Sequence, residues 1–241
     1  MMSRRVAGVA VVLALASYGC AVRLGGPGPE TFRAVALVDA TGEPGEVAAR
    51  LQGVEADMVL LAAPADSAWF AEVARRTQLT LSGPNRTGGT ALALLGRLKV
   101  LGDTALSLAA GPGRLHVMDA LYEVDKNRHL DLMLIQMSDS TPARDAVRAL
   151  LSYYATDVGG TAAVLVALQA PTVAAADSAA LLLRSAFGNV LGCGEADGAA
   201  GPQDAGALRF FYGPQARIQC ERGRLLAGSP PTIVGRVVVG R

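Results

Sequence analysis

Four strand-like segments follow one another with no helix between them: Thr90–Leu95, Lys99–Leu108, Leu115–Val124 and His129–Gln136. Parallel neighbours need a long crossover that normally carries a helix, so this run argues against an all-parallel, doubly wound domain. Gly111-Pro112-Gly113 and Asp125-Lys126-Asn127 separate members of the run, and the second reads as a hairpin turn.

On either side of this block, strand and helix patterns alternate. Before it come an apolar run from Phe32 to Val38, a helix over Glu43–Leu51, a buried strand over Asp57–Ala62 and a helix over Trp69–Thr77. Trp69, Phe70, Val73 and Ala74 lie at helical spacing, which makes Trp69 a packing residue. After it come a helix from Pro142 through Tyr154, with Pro142 near its first turn, and a strand over Ala162–Leu168. A helix over Asp177–Ala186, a Gly-rich loop over Gly192–Gly206 and two or three closing strands follow. The last of these, Thr232–Val239, is strongly β-branched.

The chain of 241 residues opens with Arg4 and Arg5, an apolar run from Val6 to Ala16 and then Ser17-Tyr18-Gly19-Cys20. This is the order of a secretory signal, and the run is too short for an ordinary membrane span. Its ending resembles a bacterial lipobox, with Ser17 where Leu is commoner. That resemblance implies removal of residues 1–19, lipidation of Cys20 and a membrane-anchored lipoprotein of the bacterial cell envelope, facing the periplasm or the exterior. Ordinary cleavage near Ala16 or Gly19, leaving Cys20 free, is the alternative. Residues 20–30, with Leu24-Gly25-Gly26-Pro27-Gly28-Pro29, read as a tether, and residues 31–241 as one domain.

The 22 Lys and Arg residues against 21 Asp and Glu provide no electrostatic case for nucleic acid. Cys193 and Cys220 remain as a pair in a compartment that permits disulfides; they are either bonded to each other or two separate buried thiols.

The words around these segments carry a further resemblance. FRAVALVDATG, DMVLLAAP, TALALLGR, IQMS, VALQAP and SPPTIV occur in that order. They resemble the R-V-x-T-W-N, D-V-V-x-L-Q-E, G-N-A-L-L-S-R, N-T-H-L, G-D-F-N-A-P and S-D-H-L-P-V words of the endonuclease/exonuclease/phosphatase superfamily, the group of deoxyribonuclease I. The resemblance spans about Phe32 to Val239. It implies an α/β fold, a four-layer α/β/β/α sandwich in which two mixed sheets pack face to face under helices.

Members of that superfamily hydrolyse phosphoesters with a divalent cation on hard carboxylate ligands, an Asp-His pair and an Asp that activates water. By this resemblance the polar positions here hold other residues. Val38 stands for Asn, Ala63 for the metal-binding Glu, Met137 for His, Ala167 for Asp, Gln169 for Asn, and Pro230 and Pro231 for the final Asp and His. Alanine and proline offer no side-chain oxygen, and a thioether suits Mg²⁺ poorly.

The expectation is therefore a domain without catalytic residues or metal, with a binding or structural role in the envelope and an envelope protein or a small ligand as its partner. The alternative is a Mg²⁺- or Mn²⁺-dependent phosphoesterase with a rebuilt site. Asp39 and Asp139 are its candidate ligands, and Asp66 and His116 are further possibilities. Asp39 is one residue from Val38, and a single step along a strand points to the opposite face.

Overall fold

Every residue of the strand Met58–Ala63 is buried, so this strand needs apolar cover on both of its faces. The computed structural model describes residues 30–87, 90–158, 163–187, 207–213, 216–220 and 232–239. It supplies that cover with four layers.

In chain order the elements are β1 (Glu30–Leu37), α1 (Pro44–Gly53), β2 (Met58–Ala63), α2 (Ser67–Thr77), β3 (Thr80–Thr87) and β4 (Thr90–Gly96). The uninterrupted block continues as β5 (Lys99–Ala110), β6 (Gly113–Asp125) and β7 (Arg128–Met137). Then come α3 (Ala143–Tyr153), a π-helical turn (Tyr154–Val158), β8 (Ala163–Gln169) and α4 (Val173–Phe187). The strands β9 (Leu208–Tyr212), β10 (Ala216–Cys220) and β11 (Thr232–Val239) close the fold.

One sheet has the order β10-β11-β1-β2-β4-β3 and the other β5-β6-β7-β8-β9. Both are mixed. The only parallel pairs among the described strands are β1 with β2 and β7 with β8, which are the pairs joined through α1 and α3. The four-strand block divides between the sheets: β4 pairs antiparallel with β2 and β3 in one, and β5, β6 and β7 pair antiparallel in succession in the other, as their short connections require.

Alternation along each strand builds the layers. Phe32, Leu60, Leu94, Met118, Leu132 and Phe210 meet between the sheets. Val35, Leu61 and Leu95 turn outward to Val47, Leu51, Phe70 and Val73 of α1 and α2. On the far side Val117, Ile135 and Val166 pack under Val147, Leu150 and Leu183 of α3 and α4. The order is helices, six-stranded sheet, five-stranded sheet, helices. This is the sandwich of two mixed sheets expected from the sequence.

Local chemistry sets the element ends. Pro44 begins α1, and the Asp66 carboxylate caps α2 by accepting from the Trp69 N–H at 2.9 Å. At the β6–β7 hairpin Asp125 accepts from the N–H groups of Asn127 (2.9 Å) and Arg128 (3.0 Å). Those bonds, with the Arg128 guanidinium, hold its carboxyl below the usual carboxylate range.

Two elements depart from the sequence reading. β3 was not foreseen, because Gly83-Pro84 interrupts its pattern; the strand tolerates the proline because it lies at the sheet edge with a register shift between Ser82 and Asn85. α4 starts at Val173, ahead of the expected Asp177, because the Thr172 hydroxyl accepts from the Ala175 N–H at 3.1 Å and caps it there. Asp177 instead pairs with the buried Arg209 at 2.7 Å.

Candidate functional site

The parallel registers set Leu37 beside Leu61 and Gln136 beside Gln169, so the C-terminal ends of β1, β2, β7 and β8 open at one pole of the sandwich. A cavity of about 280 Å³ lies there. The first sheet contributes Val38 and Asp39; Gln136, Met137 and Asp139 come from the end of β7; Gln169, Ala170 and Pro171 come from the end of β8; Ala207 and Leu208 close it.

Three of the positions read from sequence therefore converge: Val38, Met137 and Gln169. Two do not line the cavity. Ala63 is buried in the layer beneath α1 and α2. Ala167 is buried between the sheets, two residues inward from Gln169 on the same face. Pro230 and Pro231 lie outside the described residues, as do Cys20 and Cys193. Cys220 ends β10 opposite Gly235, and its pairing with Cys193 also falls outside what is described.

The alternative candidates separate in the same way. Asp39 and Asp139 both line the cavity, and both are exposed. Asp39 reaches it without a strand bulge: its backbone is left-handed, with φ +53°, which ends the alternation of β1 and turns the side chain. Asp66 is spent on the α2 cap and borders a separate shallow hollow with Thr41, Gly42 and Trp69. Trp69 packs edge-on against Phe70 and donates its indole N–H to Gly42 O at 3.0 Å.

The alternation that buries Met133, Ile135 and Met137 on the helix side of β7 leaves Gln136 facing the cleft. Its amide Nε2 donates to Gln169 Oε1 at 3.2 Å across the β7–β8 ladder. His116 of β6 is the next residue in that rung, opposite Gln136. Its Nδ1 is buried without a hydrogen-bond partner, and burial together with the nearby Arg114 pushes its pKa below the ordinary value. Sequence reasoning did not single out Gln136; the signal was available in the period-two alternation of β7.

A hard divalent cation needs several oxygens converging on one point. Among the described residues no three of His, Cys, Asp and Glu come together in that way. The cavity offers two exposed carboxylates and two glutamine amide oxygens, of which Gln169 Oε1 is already bonded to Gln136 Nε2, and this set does not fit the carboxylate-rich metal centre that the sequence resemblance implies.

The fold is that of the endonuclease/exonuclease/phosphatase superfamily. Among solved structures the chain is similar to a member of that family from Bacteroides thetaiotaomicron, with TM-score 0.60 and 8% identity over 89% of this chain and 100% of the other. It is also similar to the human Nocturnin catalytic domain with bound sulfate, with TM-score 0.62 and 12% identity, covering 87% and 97%. A third, the mannosyl-6-phosphatase of Bacteroides thetaiotaomicron VPI-5482, superposes with TM-score 0.58 and 8% identity over 86% and 99%. No family model matches the sequence, and no curated protein matches it significantly.

Proposed function

We infer that this chain is a non-catalytic domain of the endonuclease/exonuclease/phosphatase fold, whose cleft binds rather than hydrolyses, and that a lipid on Cys20 holds it at a bacterial envelope membrane. One observation carries the reading. The cavity at the strand ends combines Val38, Met137, Ala170, Pro171 and Leu208 with two exposed carboxylates, Asp39 and Asp139, and a bonded Gln136–Gln169 pair; no three of His, Cys, Asp and Glu among the described residues come together there as metal-assisted hydrolysis would require. Among the described residues no helix is long and apolar enough to cross a membrane, so under this reading the lipid supplies the attachment. The partner is a small ligand or an envelope protein.

The purified chain should show no turnover of bis-nitrophenyl phosphate, DNA, a phospholipid or an inositol phosphate with Mg²⁺ or Mn²⁺ above the level seen with chelator. Chelator-sensitive turnover that follows the folded protein would overturn the reading. A second reading, a rebuilt phosphoesterase, draws on the presence of Asp39 and Asp139 in one cavity. It requires that Asp39→Asn and Asp139→Asn each abolish such turnover while the protein stays folded.

A further inference from the structure

The face of the five-stranded sheet that meets the other sheet changes character at one rung. On β6, β7 and β8 the residues Met118, Leu134 and Ala167 stand opposite one another, all buried and apolar. Two residues nearer the cleft, on the same face, the next rung is His116, Gln136 and Gln169, and Ser107 of β5 extends it opposite His116. Four adjacent strands thus present an imidazole, two amides and a hydroxyl in a row, and its Gln136–Gln169 end lines the cavity.

Each of these groups both donates and accepts hydrogen bonds. The protein uses only part of that capacity. Gln136 Nε2 binds Gln169 Oε1, which leaves Gln136 Oε1 and the Gln169 amide N–H groups with no partner among the described residues. His116 Nδ1 is buried and unpartnered. Half-buried groups with unused donors and acceptors lose free energy unless a ligand or water completes them.

The rim adds charge of one sign. Asp39 and Asp139 are exposed and make no ion pair among the described residues, and no described Lys or Arg lines the cavity. Arg114, beside the rung, directs a guanidinium N–H at Ser107 Oγ, 3.4 Å away, towards β5 and the far end of the row. A phosphate in this cavity would face two carboxylates over an uncharged floor, which is unfavourable. A polyhydroxylated neutral molecule meets the same groups favourably: its hydroxyls donate to Asp39 and Asp139 and accept from the Gln169 amide. Val38, Pro171 and Leu208 supply apolar wall for ring carbons.

We propose that the cleft is a binding site for a neutral saccharide, read by the Gln136–Gln169 amide pair on its floor and the Asp39 and Asp139 carboxylates on its rim. This rests on the reading of the chain as a binding domain. The cavity volume, near the lower end for small-molecule pockets, suits a short saccharide or the end of a longer glycan.

The test uses the full chain in a non-glycosidic detergent. Glucose, galactose, mannose, N-acetylglucosamine and N,N′-diacetylchitobiose are titrated by calorimetry, with inorganic phosphate and glucose 6-phosphate as the charged comparison. The expected result is saturable binding of at least one neutral sugar, weaker binding of the phosphates, and at least tenfold loss on Gln169→Met or Gln136→Met at unchanged thermal midpoint. Gln169→Glu, which keeps the volume and removes the donors, should lose affinity to a similar extent.

Absence of binding by every neutral sugar, preference for the phosphates, or affinity indifferent to all three variants would each overturn the proposal. The phosphoesterase assay on the same preparation separates the two ideas. Without turnover and without sugar binding, only the saccharide assignment fails; turnover removes the binding-domain reading beneath it.

Discussion

Asp131 has one carboxylate oxygen, Oδ1, buried with no partner, and its neighbour Asp119 accepts from the Tyr153 hydroxyl at 2.6 Å. Both carboxyls are buried on the helix side of the five-stranded sheet, away from the cleft. Burial, a hydrogen bond to Asp119 and the charge of Asp119 together push the Asp131 carboxyl up to about 10, which favours its protonated form at neutral pH. The sign follows directly. The folded state binds a proton that the unfolded chain releases near pH 4, so stability is greatest below that pH and falls as pH rises towards the folded value, by at most about 1.4 kcal/mol per pH unit. The Tyr154 hydroxyl, raised by burial and by Asp131, adds to the alkaline side. Thermal midpoints of the wild type should therefore drop between pH 7 and pH 9, above the range in which the lowered His116 pKa acts with the opposite sign. Asp131→Asn should flatten that slope; an unchanged slope in the variant would show that the proton is not held there. None of this was legible in the sequence, because two aspartates on separate strands carry no pattern until β6 and β7 bring them together.

At the scale of elements, caps and close approaches decide more than propensity does. Asp66→Ala removes the bond to the Trp69 N–H and should destabilise the domain by about 1 kcal/mol, read as a shift of the urea midpoint at constant slope. The strand β4 ends in Gly96 against the second sheet. A Cβ there would lie 2.6 Å from Cε1 of the buried Tyr122 ring, so Gly96→Ala should lose about 1–3 kcal/mol by the same measurement. A cost near zero would mean that the Tyr122 ring moves aside freely. The sequence announced most of these elements, since the buried strand Met58–Ala63 and the hairpin turn after Asp125 are local signals. It hid β3, where an edge position excuses Pro84, and it misplaced the start of α4, where a single hydroxyl on Thr172 outweighs the Asp that looked like the beginning.

For the whole molecule, the proposed attachment and the proposed binding can be tested separately. If Cys20 is lipidated, Cys20→Ser should release the chain from the membrane fraction and leave the melting curve of the domain unchanged. A membrane-bound serine variant would contradict the anchor. The cleft is built from both sheets at once, with Val38 and Asp39 from one and Gln136 and Gln169 from the other. A substitution that loosens the packing between the sheets, such as Phe32→Ala, should therefore weaken any ligand and reduce stability together, by about 3–5 kcal/mol for the latter. A variant that lost stability and kept full affinity would show that the site tolerates movement of one sheet on the other.

By itself the sequence announced most of the strands and helices, β3 and the start of α4 apart, and it carried the words on which the family resemblance rests, with Val38, Ala63, Met137, Ala167, Gln169, Pro230 and Pro231 where that resemblance implies polar residues. Periodicity, turn residues and side-chain chemistry act over a few residues, so they can be read along the chain. Only the tertiary structure decided that Gln136 joins Met137 in lining the cleft, that a left-handed Asp39 joins Asp139 at its rim while Asp66 does not, and that burial beside Asp119 raises the pKa of the Asp131 carboxyl. Those outcomes depend on which strands become neighbours and in what register. Such distances and burial arise only when segments far apart in the chain pack together.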